Sequence, residues 1–351
     1  MNRSIKIDGQ LVDDRSQCYV IAEIGHNHQG DLAKAKQLIA AAKEAGAQAV
    51  KLQKRDNKSL FTQQIYNQAY DNPNSFGDTY GEHREFLEFG EAEYRELQKF
   101  AKEQGITFFA TAFDFKSADF LADLAMPVYK MASGDLKNIP LLQHVARFQK
   151  PMIVSTGGGS LADVQRAYDA IMPLNRQLAI LQCTAGYPCE FEELNLRVIQ
   201  TYRDAFPECV IGFSGHDSGI AMALVSYVLG GRIVEKHFTL NRAMKGTDHS
   251  FSLEPVGLKK MVRDLSRARI ALGDGIKHTY ESEKKPLLKM GKSIVATRDL
   301  PEGHVLSSDD LAIKSPGSGL PPYELEKVLT RRLRKSVAAD EMLSWETLGG
   351  P

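Results

Sequence analysis

The chain has 351 residues, 43% apolar and 25% charged, an ordinary composition for a globular protein long enough for one large domain and a small one. Lysine plus arginine equals aspartate plus glutamate, at 44 each, so bulk charge does not indicate a nucleic-acid or membrane partner. The N-terminal segment lacks the apolar core of a signal peptide, the longest apolar stretch is too short for a bilayer, and the four cysteines form no CxxC pair. These features predict a cytoplasmic protein with reduced thiols.

From Cys18 onward, short β-branched segments alternate with amphipathic helical segments. The first predicted helix, DLAKAKQLIAAAKEAG, has the apolar spacing of a helix packed on a sheet and ends in glycine. The predicted strands are YVIAEIG, QAVKLQ, TFFATAF, VYKMAS, PMIVSTG, LAILQCT, CVIGFSG and RIVEKHFTL. The helices that follow them begin near Leu32, Glu91, Lys116, Ile139, Leu161, Leu194, Ile220 and Val256.

This alternation predicts an α/β fold with a parallel sheet. Eight strand–helix units over about 255 residues match a closed (β/α)8 TIM barrel. An open doubly wound sheet is the alternative, but such sheets usually have fewer units. No Gly-x-Gly-x-x-Gly turn follows the first strand, as that alternative would require for a dinucleotide site.

The barrel is predicted at residues 1–273, and the chain changes character after it. Residues 274–292 are polar and predict a linker, while short strands and tight turns predict a small β-rich domain at 293–351. Residues 54–90 are much longer than a usual loop between a strand and a helix. Because this segment follows the second strand, we expect it to overhang the barrel mouth as a lid.

A TIM barrel collects its reactive side chains at the carboxyl ends of the strands. Side chains two apart in a strand face the same side, which pairs Lys51 with Gln53, Ser214 with His216, and Glu235 with His237. The polar residues near the predicted strand ends are Glu23, Lys51, Gln53, Thr111, Ser133, Ser155, Thr184, Ser214, His216, Glu235 and His237.

Consecutive strands end at His216 and His237. Either histidine alone is as easily an ordinary core side chain, but together they suit a divalent metal. Two imidazoles leave most coordination positions open, which favours Mn²⁺ or Mg²⁺ over a closed zinc site. Glu235 shares a face with His237, where its carboxylate is placed to orient the ring.

Lys51 and Lys130 lie within the second and fourth strands, where an unpaired ammonium group is costly to bury. They predict either a clamp for phosphate or carboxylate groups or a nucleophile that forms a Schiff base. Lys130 and Ser133 differ in parity, so we expect a bulge near the end of that strand to bring both to the mouth.

Four hydroxyl side chains at strand ends either cap the following helices or bind an anion. The turn STGGGS at residues 155–160 favours a phosphate cradle, since glycines expose backbone N–H groups beside a helix N-terminus. The four hydroxyls belong to Thr111, Ser133, Ser155 and Ser214.

Several motifs together resemble the sialic acid synthase family, in the order in which that family has them. They are IAEIGHNHQGDLAKAKQLIAAAKEAGAQAVKLQ, YKMASGDLKNIPLL, STGGGS, LQCTAGYP, IGFSGHDSG, EKHFTL and KGTDHSFSLEP. The segment KSIVATRDLPEGHVLSSDDLAIKSPGSGLPP resembles the antifreeze-like, or SAF, domain of that family, a β-clip fold. The resemblance extends from about residue 4 to 348.

The resemblance implies a transferase that condenses phosphoenolpyruvate with N-acetylmannosamine, its 6-phosphate or a related hexose, forming a C–C bond. The products are a nine-carbon 2-keto acid and phosphate. It implies Mn²⁺ or Mg²⁺ at His216 and His237, and Glu23 as the carboxylate that handles water or a proton. Residues Lys51, Thr111, Lys130, Ser133, Ser155 and Ser214 match the phosphoenolpyruvate pocket of the family, and Gln53, Tyr187, Lys245 and Asp248 match its sugar contacts.

The mechanism implied by the family has phosphoenolpyruvate C3 attack a metal-polarised aldehyde. Water then adds at C2, and phosphate departs with C–O cleavage. Family members form homodimers in which the C-terminal domain of one chain covers the barrel mouth of the other, and we expect the same exchange here.

Three positions depart from the pattern of many family members, two of them from many free-sugar synthases. Ser315 and Lys245 stand where many free-sugar synthases have, respectively, an arginine that reaches the sugar of the partner chain and an acidic residue. Ala185 stands where some members carry a polar residue near phosphoenolpyruvate. The segment GDTYGEHREFLEF and the loop KGTDH are more similar to the 9-phosphate synthases. A phosphorylated acceptor favours a lysine on charge grounds, although Lys245 is equally explained as a solvated loop charge. The acceptor sugar therefore stays open.

Two other functions fit parts of the pattern. A Schiff-base aldolase would use Lys51 or Lys130 with free pyruvate. A non-catalytic sugar-binding protein would use the antifreeze-like domain on an inactive barrel, but the presence of Glu23, His216 and His237 argues against it.

Overall fold

The computed structural model describes residues 3–349. They fall into two compact units, divided between Gly273 and Asp274. The sequence-based limits of 1–273, 274–292 and 293–351 stay predictions, and their terminal residues 1–2 and 350–351 lie outside the described part. Within the described part, no helix is long and apolar enough to cross a membrane.

A β-hairpin that the sequence analysis did not predict precedes the barrel. Strand β1 (Ser4–Ile7) pairs antiparallel with β2 (Gln10–Asp13). Asp8 and Gly9 join them with φ angles of 47° and 84°. A two-residue type I′ turn requires positive φ at both positions, and Asp-Gly is a favoured pair there. This dipeptide was therefore a usable signal for the hairpin.

Eight parallel strands close into a barrel in which the last strand pairs with the first. Their side chains are almost all buried, which explains the continuous β-branched segments in the sequence. All eight predicted strands and the (β/α)8 fold are confirmed. The strands are β3 (Tyr19–Gly25), β4 (Ala49–Lys54), β5 (Thr107–Ala112), β6 (Tyr129–Met131), β7 (Met152–Ser155), β8 (Leu178–Cys183), β9 (Val210–Gly215) and β10 (Ile233–His237).

Helices follow each barrel strand, and three short ones occupy the long segment after β4. The predicted helix starts agree within one residue except at Leu194. There Asn195 has a φ angle of 40°, which a right-handed helix does not accommodate, so the helix begins later. The helices are α1 (Leu32–Glu44), α2 (Asn57–Leu60), α3 (Gln63–Tyr66), α4 (Tyr80–Leu87), α5 (Glu91–Gln104), α6 (Phe115–Asp123), α7 (Ile139–Ala146), α8 (Leu161–Ile171), α9 (Val198–Ala205), α10 (Ala221–Val228) and α11 (Pro255–Ala271).

Helix α1 shows how the outer layer attaches to the barrel. It buries Ala35, Leu38, Ile39 and Ala42, one stripe at the spacing of a helix face. The carboxylate of Asp31 caps its first turn by accepting from the Lys34 backbone N–H. Burying each large aliphatic side chain contributes roughly 1.5–3 kcal/mol, so this stripe fixes the helix on the sheet.

Strand β6 ends without the bulge that the parity of Lys130 and Ser133 had suggested. The strand stops at Met131, and Ser133 opens a 3₁₀ turn, Ser133–Asp135. This change of backbone conformation resets the two-residue alternation. It therefore brings both side chains to the same end of the barrel, and the expectation of a bulge was wrong.

The second unit has its own apolar core. Strands β11 (Ser293–Ala296) and β12 (Leu311–Lys314) pair antiparallel, which confirms a small β-containing domain after the barrel. The polar segment before them contains helix α12 (Glu281–Met290), which buries none of its side chains. A short helix α13 (Leu325–Val328) completes the unit.

Candidate active site at the carboxyl end of the barrel

A cavity of about 470 Å³ lies at the carboxyl ends of the barrel strands. This is the end at which TIM barrels build their active sites. Of the residues that the sequence analysis placed at the strand ends or in the site, Thr184 and Lys245 do not line it. The others are Glu23, Lys51, Gln53, Thr111, Lys130, Ser133, Ser155, Tyr187, Ser214, His216, Glu235, His237 and Asp248.

A larger concave region of about 1010 Å³ lies at the opposite end, beside the starts of β4 and β5. Its lining includes Lys43, Lys99 and Lys102 and none of the predicted site residues. Lys99 and Lys102 are exposed to solvent. The chemistry therefore lies with the smaller cavity, where polar side chains are buried and converge.

Glu23 and Lys51 form a buried ion pair in the cavity. They occupy paired positions on β3 and β4, so the strand register itself brings them together. Lys51 Nζ also donates to Thr111 Oγ1 at 2.6 Å, and Gln53 Nε2 donates to Glu23 Oε1 at 2.7 Å. This network holds the Glu23 carboxyl group in one orientation.

The pKa of the Glu23 carboxyl group lies near neutral pH. Burial raises its pKa to about 7, Lys51 opposes the shift, and the charge of Glu235 adds to it. A carboxyl group with a pKa close to the working pH can take up and release a proton during a reaction. Glu23 therefore has the acid–base properties of a catalytic group.

Lys130 and Glu235 form the second buried charge cluster. Lys130 Nζ donates to Ser155 Oγ at 2.7 Å and lies 3.8 Å from Glu235 Oε1, which is also 3.6 Å from Lys51 Nζ. Burial lowers the pKa of Lys130, and Glu235 opposes this shift. The Glu235 carboxylate is shared between two lysines and contacts neither imidazole. The prediction that Glu235 orients His237 is therefore not supported by a contact between the two side chains.

The rings of His216 and His237 lie side by side, with centroids 5.4 Å apart. Strand β10 ends at His237, and His216 immediately follows the end of β9. His216 Nδ1 lies 2.9 Å from the Thr184 carbonyl oxygen, so this nitrogen carries the proton and Nε2 is left as the free lone pair. Adjacent strands therefore present two imidazoles to the same space.

The donor set fits a divalent cation. Burial lowers the pKa of His237 to about 3, which keeps that ring neutral, and its Nδ1 has no hydrogen-bond partner within residues 3–349. Asp248 Oδ2 lies 3.6 Å from this nitrogen. No group of three or more His, Cys, Asp or Glu side chains forms a metal site in the described chain. A cation held by the two imidazoles would take its other ligands from water or substrate.

The residues predicted to contact the sugar do not all lie together. Gln53, Tyr187 and Asp248 line the cavity, and the Tyr187 ring packs 4.1 Å from that of His216. Lys245 instead lies outside the cavity, with its ammonium group 4.8 Å from the Phe76 ring. The charge that the sequence analysis offered for a phosphorylated acceptor is thus not in this cavity.

The glycine turn after β7 is arranged differently from the predicted cradle. Ser155 lines the cavity, but Gly157, Gly158 and Gly159 do not. The backbone N–H of Gly157 donates to Ser133 Oγ at 2.9 Å. A side chain at Gly157 would bring its Cβ within 2.8 Å of that oxygen. The glycine is therefore required for a close approach that positions Ser133.

Two charged cavity residues were missed from the sequence, Arg55 and Arg84. Arg55 has the same parity as Lys51 and Gln53, so extending the alternation by one step would have found it. Arg84 lies on α4, inside the segment predicted to overhang the barrel. Nothing in the local pattern around Arg84 indicated that it would reach the cavity.

The fold and the cavity define a TIM-barrel enzyme that binds anionic substrates. The NeuB family model matches residues 38–277, and the SAF domain model matches residues 291–349. The chain belongs to the NeuB family, and the predicted resemblance to sialic acid synthases is thereby confirmed.

Individual relatives agree over almost the whole length. The human N-acetylneuraminate-9-phosphate synthase is 40% identical, covering 96% of this chain and 94% of its own. The N,N'-diacetyllegionaminic acid synthase of Legionella pneumophila is 36% identical over 94% of each chain. The sialic acid synthetase of Leptospira borgpetersenii, solved with citrate, has a TM-score of 0.71 and 30% identity, covering 82% of this chain and 95% of that one. The predicted reaction class, a phosphoenolpyruvate-dependent synthase acting on a mannosamine-type sugar, is confirmed.

Proposed function

We propose that the chain condenses phosphoenolpyruvate with the 6-phosphate of N-acetylmannosamine or a closely related amino-hexose. Water is the third reactant, and the products are a nine-carbon 2-keto acid 9-phosphate and inorganic phosphate. One observation carries the choice of a phosphorylated acceptor. The cavity holds two arginines, Arg55 and Arg84, that form no ion pair with a carboxylate of the described residues, whereas its two lysines are paired with Glu23 and Glu235. The 40% identity to the human 9-phosphate synthase points the same way.

Phosphoenolpyruvate is assigned to the lysine end of the cavity. Lys51 and Lys130 supply positive charge, and Ser133, Ser155 and Ser214 supply hydroxyl groups beside them. Charge-assisted hydrogen bonds of this kind stabilise a phosphate group both when it binds and when it leaves. Four of the five side chains belong to barrel strands and Ser133 opens the 3₁₀ turn directly after β6, so rigid elements fix the geometry of the enol.

Glu23 is assigned the proton transfer. A bond forms between phosphoenolpyruvate C3 and the aldehyde carbon, and the aldehyde oxygen takes up a proton. Water then adds at C2, and the C–O bond to phosphate breaks. In its ionised form, Glu23 accepts the proton of the attacking water, and Gln53 and Lys51 hold the carboxylate in place.

His216 and His237 are the residues assigned to a divalent cation, with Mn²⁺ or Mg²⁺ proposed. When bound there, the cation would polarise the carbonyl group of the acceptor. The two imidazoles lie beside Tyr187 and Asp248, the residues assigned to the sugar. The acceptor aldehyde is therefore placed at the histidine side of the cavity.

A Schiff-base aldolase is less well supported by the same contacts. Such an enzyme needs a neutral amine as its nucleophile. Lys51 lies between the carboxylates of Glu23 and Glu235, and Lys130 also contacts Glu235. The nearby carboxylate of Glu235 opposes the lowering of the Lys130 pKa by burial, so it works against the free amine that a Schiff base requires.

Two further expectations are kept as proposals. A cytoplasmic location suits a protein whose four cysteines are free and buried. A domain-swapped homodimer is proposed from the family resemblance, and Ser315 would then replace the arginine that the partner chain supplies in free-sugar synthases. Light scattering in solution decides between one and two chains per particle.

The test measures phosphate release from phosphoenolpyruvate in the presence of Mn²⁺. A panel of hexosamines, each offered free and as its 6-phosphate, supplies the acceptor. We expect N-acetylmannosamine 6-phosphate to give a kcat/KM at least about tenfold above that of the free sugar, since one charge-assisted contact is worth that much. Equal or better use of the free sugar would contradict the proposed acceptor.

A further inference from the structure

Arg55, Arg84 and His26 form a cluster at the cavity to which none of the reaction steps described above assigns a contact with the substrates. We propose that the two guanidinium groups of this cluster bind the phosphate of the acceptor and determine the preference for the phosphorylated sugar. This inference rests on the proposed function, which supplies the ligand.

Arg55 is a buried cation whose guanidinium group no carboxylate contacts directly. Its side chain is 8% exposed, and its guanidinium group stacks 3.7 Å from the centre of the Phe113 ring. Its side-chain contacts are polar but neutral, Gln53 Oε1 at 2.7 Å and a His26 ring nitrogen at 3.2 Å. Among residues 3–349, no carboxylate forms an ion pair with it. Burying an unpaired charge is costly, so the site favours an anionic ligand.

Arg84 is in the same situation. Two of its guanidinium nitrogens contact Tyr80 Oη, at 2.9 and 3.0 Å, and a third lies 3.2 Å from His26 Nδ1. No ion pair to a carboxylate is present for this arginine within the described residues either. Half-buried on α4, it reaches the cavity from the long segment after β4.

His26 cannot satisfy both arginines. A neutral imidazole has one lone pair, but Arg55 Nη1 lies against its Nε2 and Arg84 Nη1 lies against its Nδ1. Burial, reinforced by the two arginines, lowers the pKa of His26 well below its usual range, so the ring stays neutral. At least one guanidinium N–H group therefore lacks an acceptor, and a phosphate oxygen between the two arginines would supply it.

The acidic residues nearby do not fill this need. Glu88 lies 3.5 Å from His26 Nε2, but its charge is balanced by Lys54 at 3.1 Å. Glu88 also accepts from the Arg55 backbone N–H, not from its side chain. Asp248 also lines the cavity and attracts both arginines, but it forms an ion pair with neither of them. Both guanidinium groups therefore face the cavity without a carboxylate in direct contact.

The cluster lies on the side of the cavity that the 6-phosphate group of the acceptor would reach. Lys51 and Glu23 are paired across β3 and β4, and His237 is paired with Glu23 on the other side. Arg55 follows Lys51 by four residues on the same face, and each residue of a strand advances about 3.3 Å toward the mouth. An open-chain sugar with its aldehyde beside the histidines therefore extends its 6-phosphate toward the arginines.

The experiment compares kcat/KM for N-acetylmannosamine 6-phosphate and for free N-acetylmannosamine in Arg84→Gln, Arg55→Gln and the unsubstituted enzyme. In both variants the ratio of the two values should fall by about 10- to 100-fold, through the KM of the phosphorylated sugar, because a charge-assisted contact is lost. The KM for phosphoenolpyruvate should change by less than about twofold, which separates this site from the lysine end.

Lys58→Gln is the matched control, since it removes one positive charge from α2 of the same segment, and Lys58 is exposed and outside the cavity lining. It should leave the ratio unchanged.

Because Arg55 is buried, the result for Arg55→Gln is interpreted only if the melting temperature of that variant equals that of the unsubstituted enzyme. Arg84→Gln tests the inference independently of Arg55→Gln. An unsubstituted enzyme that prefers the phosphorylated sugar, with a ratio unchanged in Arg84→Gln, would overturn the inference and leave the proposed function standing. A preference for the free sugar would overturn both.

Discussion

At the scale of single residues, the cavity shows that charge alone does not define a role. Glu23 and Glu235 are both buried carboxyl groups beside lysines, yet the pKa of Glu23 is raised to about 7. Glu235 contacts two lysines, whereas Glu23 pairs with Lys51 and accepts one hydrogen bond from Gln53. Their different surroundings make Glu23 a group that can exchange protons and Glu235 a group that balances the charge of the lysines.

Glu23→Gln tests this assignment through pH dependence. Below its raised pKa the carboxyl group is protonated and cannot accept a proton, so kcat/KM of the unsubstituted enzyme should rise with pH through about 7. The variant should lose roughly 10²- to 10⁴-fold in kcat/KM together with this rise. Glu103→Gln, an exposed carboxyl group on α5, is the control. A variant that kept the rise would show that another group is responsible for it.

At the scale of elements, the strands were predictable and the loops were not. The eight strands and the side chains at their ends follow from a two-residue alternation that the sequence displays directly. Arg55 lay within reach of the same rule, one step beyond Gln53. The same rule could not predict Arg84, because its position depends on how α4 folds back over the barrel. The packing of a long loop has no periodic signature in the sequence. The same limit explains why Lys245 was expected at the sugar and lies outside the cavity.

A buried carboxylate organises the turn between β11 and β12. Asp310 accepts from His304 at 2.9 Å, from Arg298 at 2.6 Å, and from both the backbone and the hydroxyl group of Ser307. The hydrogen bond with His304, with the help of Ser307 and Arg298, holds the pKa of Asp310 well below its usual range. Its neighbour Asp309 is exposed.

Asp310→Asn should therefore destabilise the second unit by about 2 kcal/mol or more, since an amide nitrogen would face donors and the charge would be lost. Hydrogen exchange at neutral pH, read by mass spectrometry of the full chain, measures this locally. Peptides from 293–349 should exchange faster while barrel peptides do not change. Asp309→Asn should leave both sets unaffected, and unchanged exchange in Asp310→Asn would refute the role of this turn.

At the scale of the whole molecule, a NeuB-type barrel is followed by a SAF domain, and each has a core of its own. The motifs of the sequence defined the family and the reaction class, since both depend on many residues spread along the chain. The acceptor depends on a few side chains at the mouth, where this chain departs from its free-sugar relatives. Membership of the family therefore does not define the acceptor, and acceptor preference has to be measured.

The account depends most on the paired imidazoles of His216 and His237, and Mn²⁺ binding measured by calorimetry or by electron paramagnetic resonance tests them directly. The unsubstituted protein should bind one ion per chain, and His216→Ala and His237→Ala should each weaken binding at least about tenfold and abolish phosphate release. His144→Ala, which removes a histidine paired with Asp119 on an outer helix, should bind as the unsubstituted protein does. Mn²⁺ affinity that is unchanged in either cavity variant would contradict the central claim.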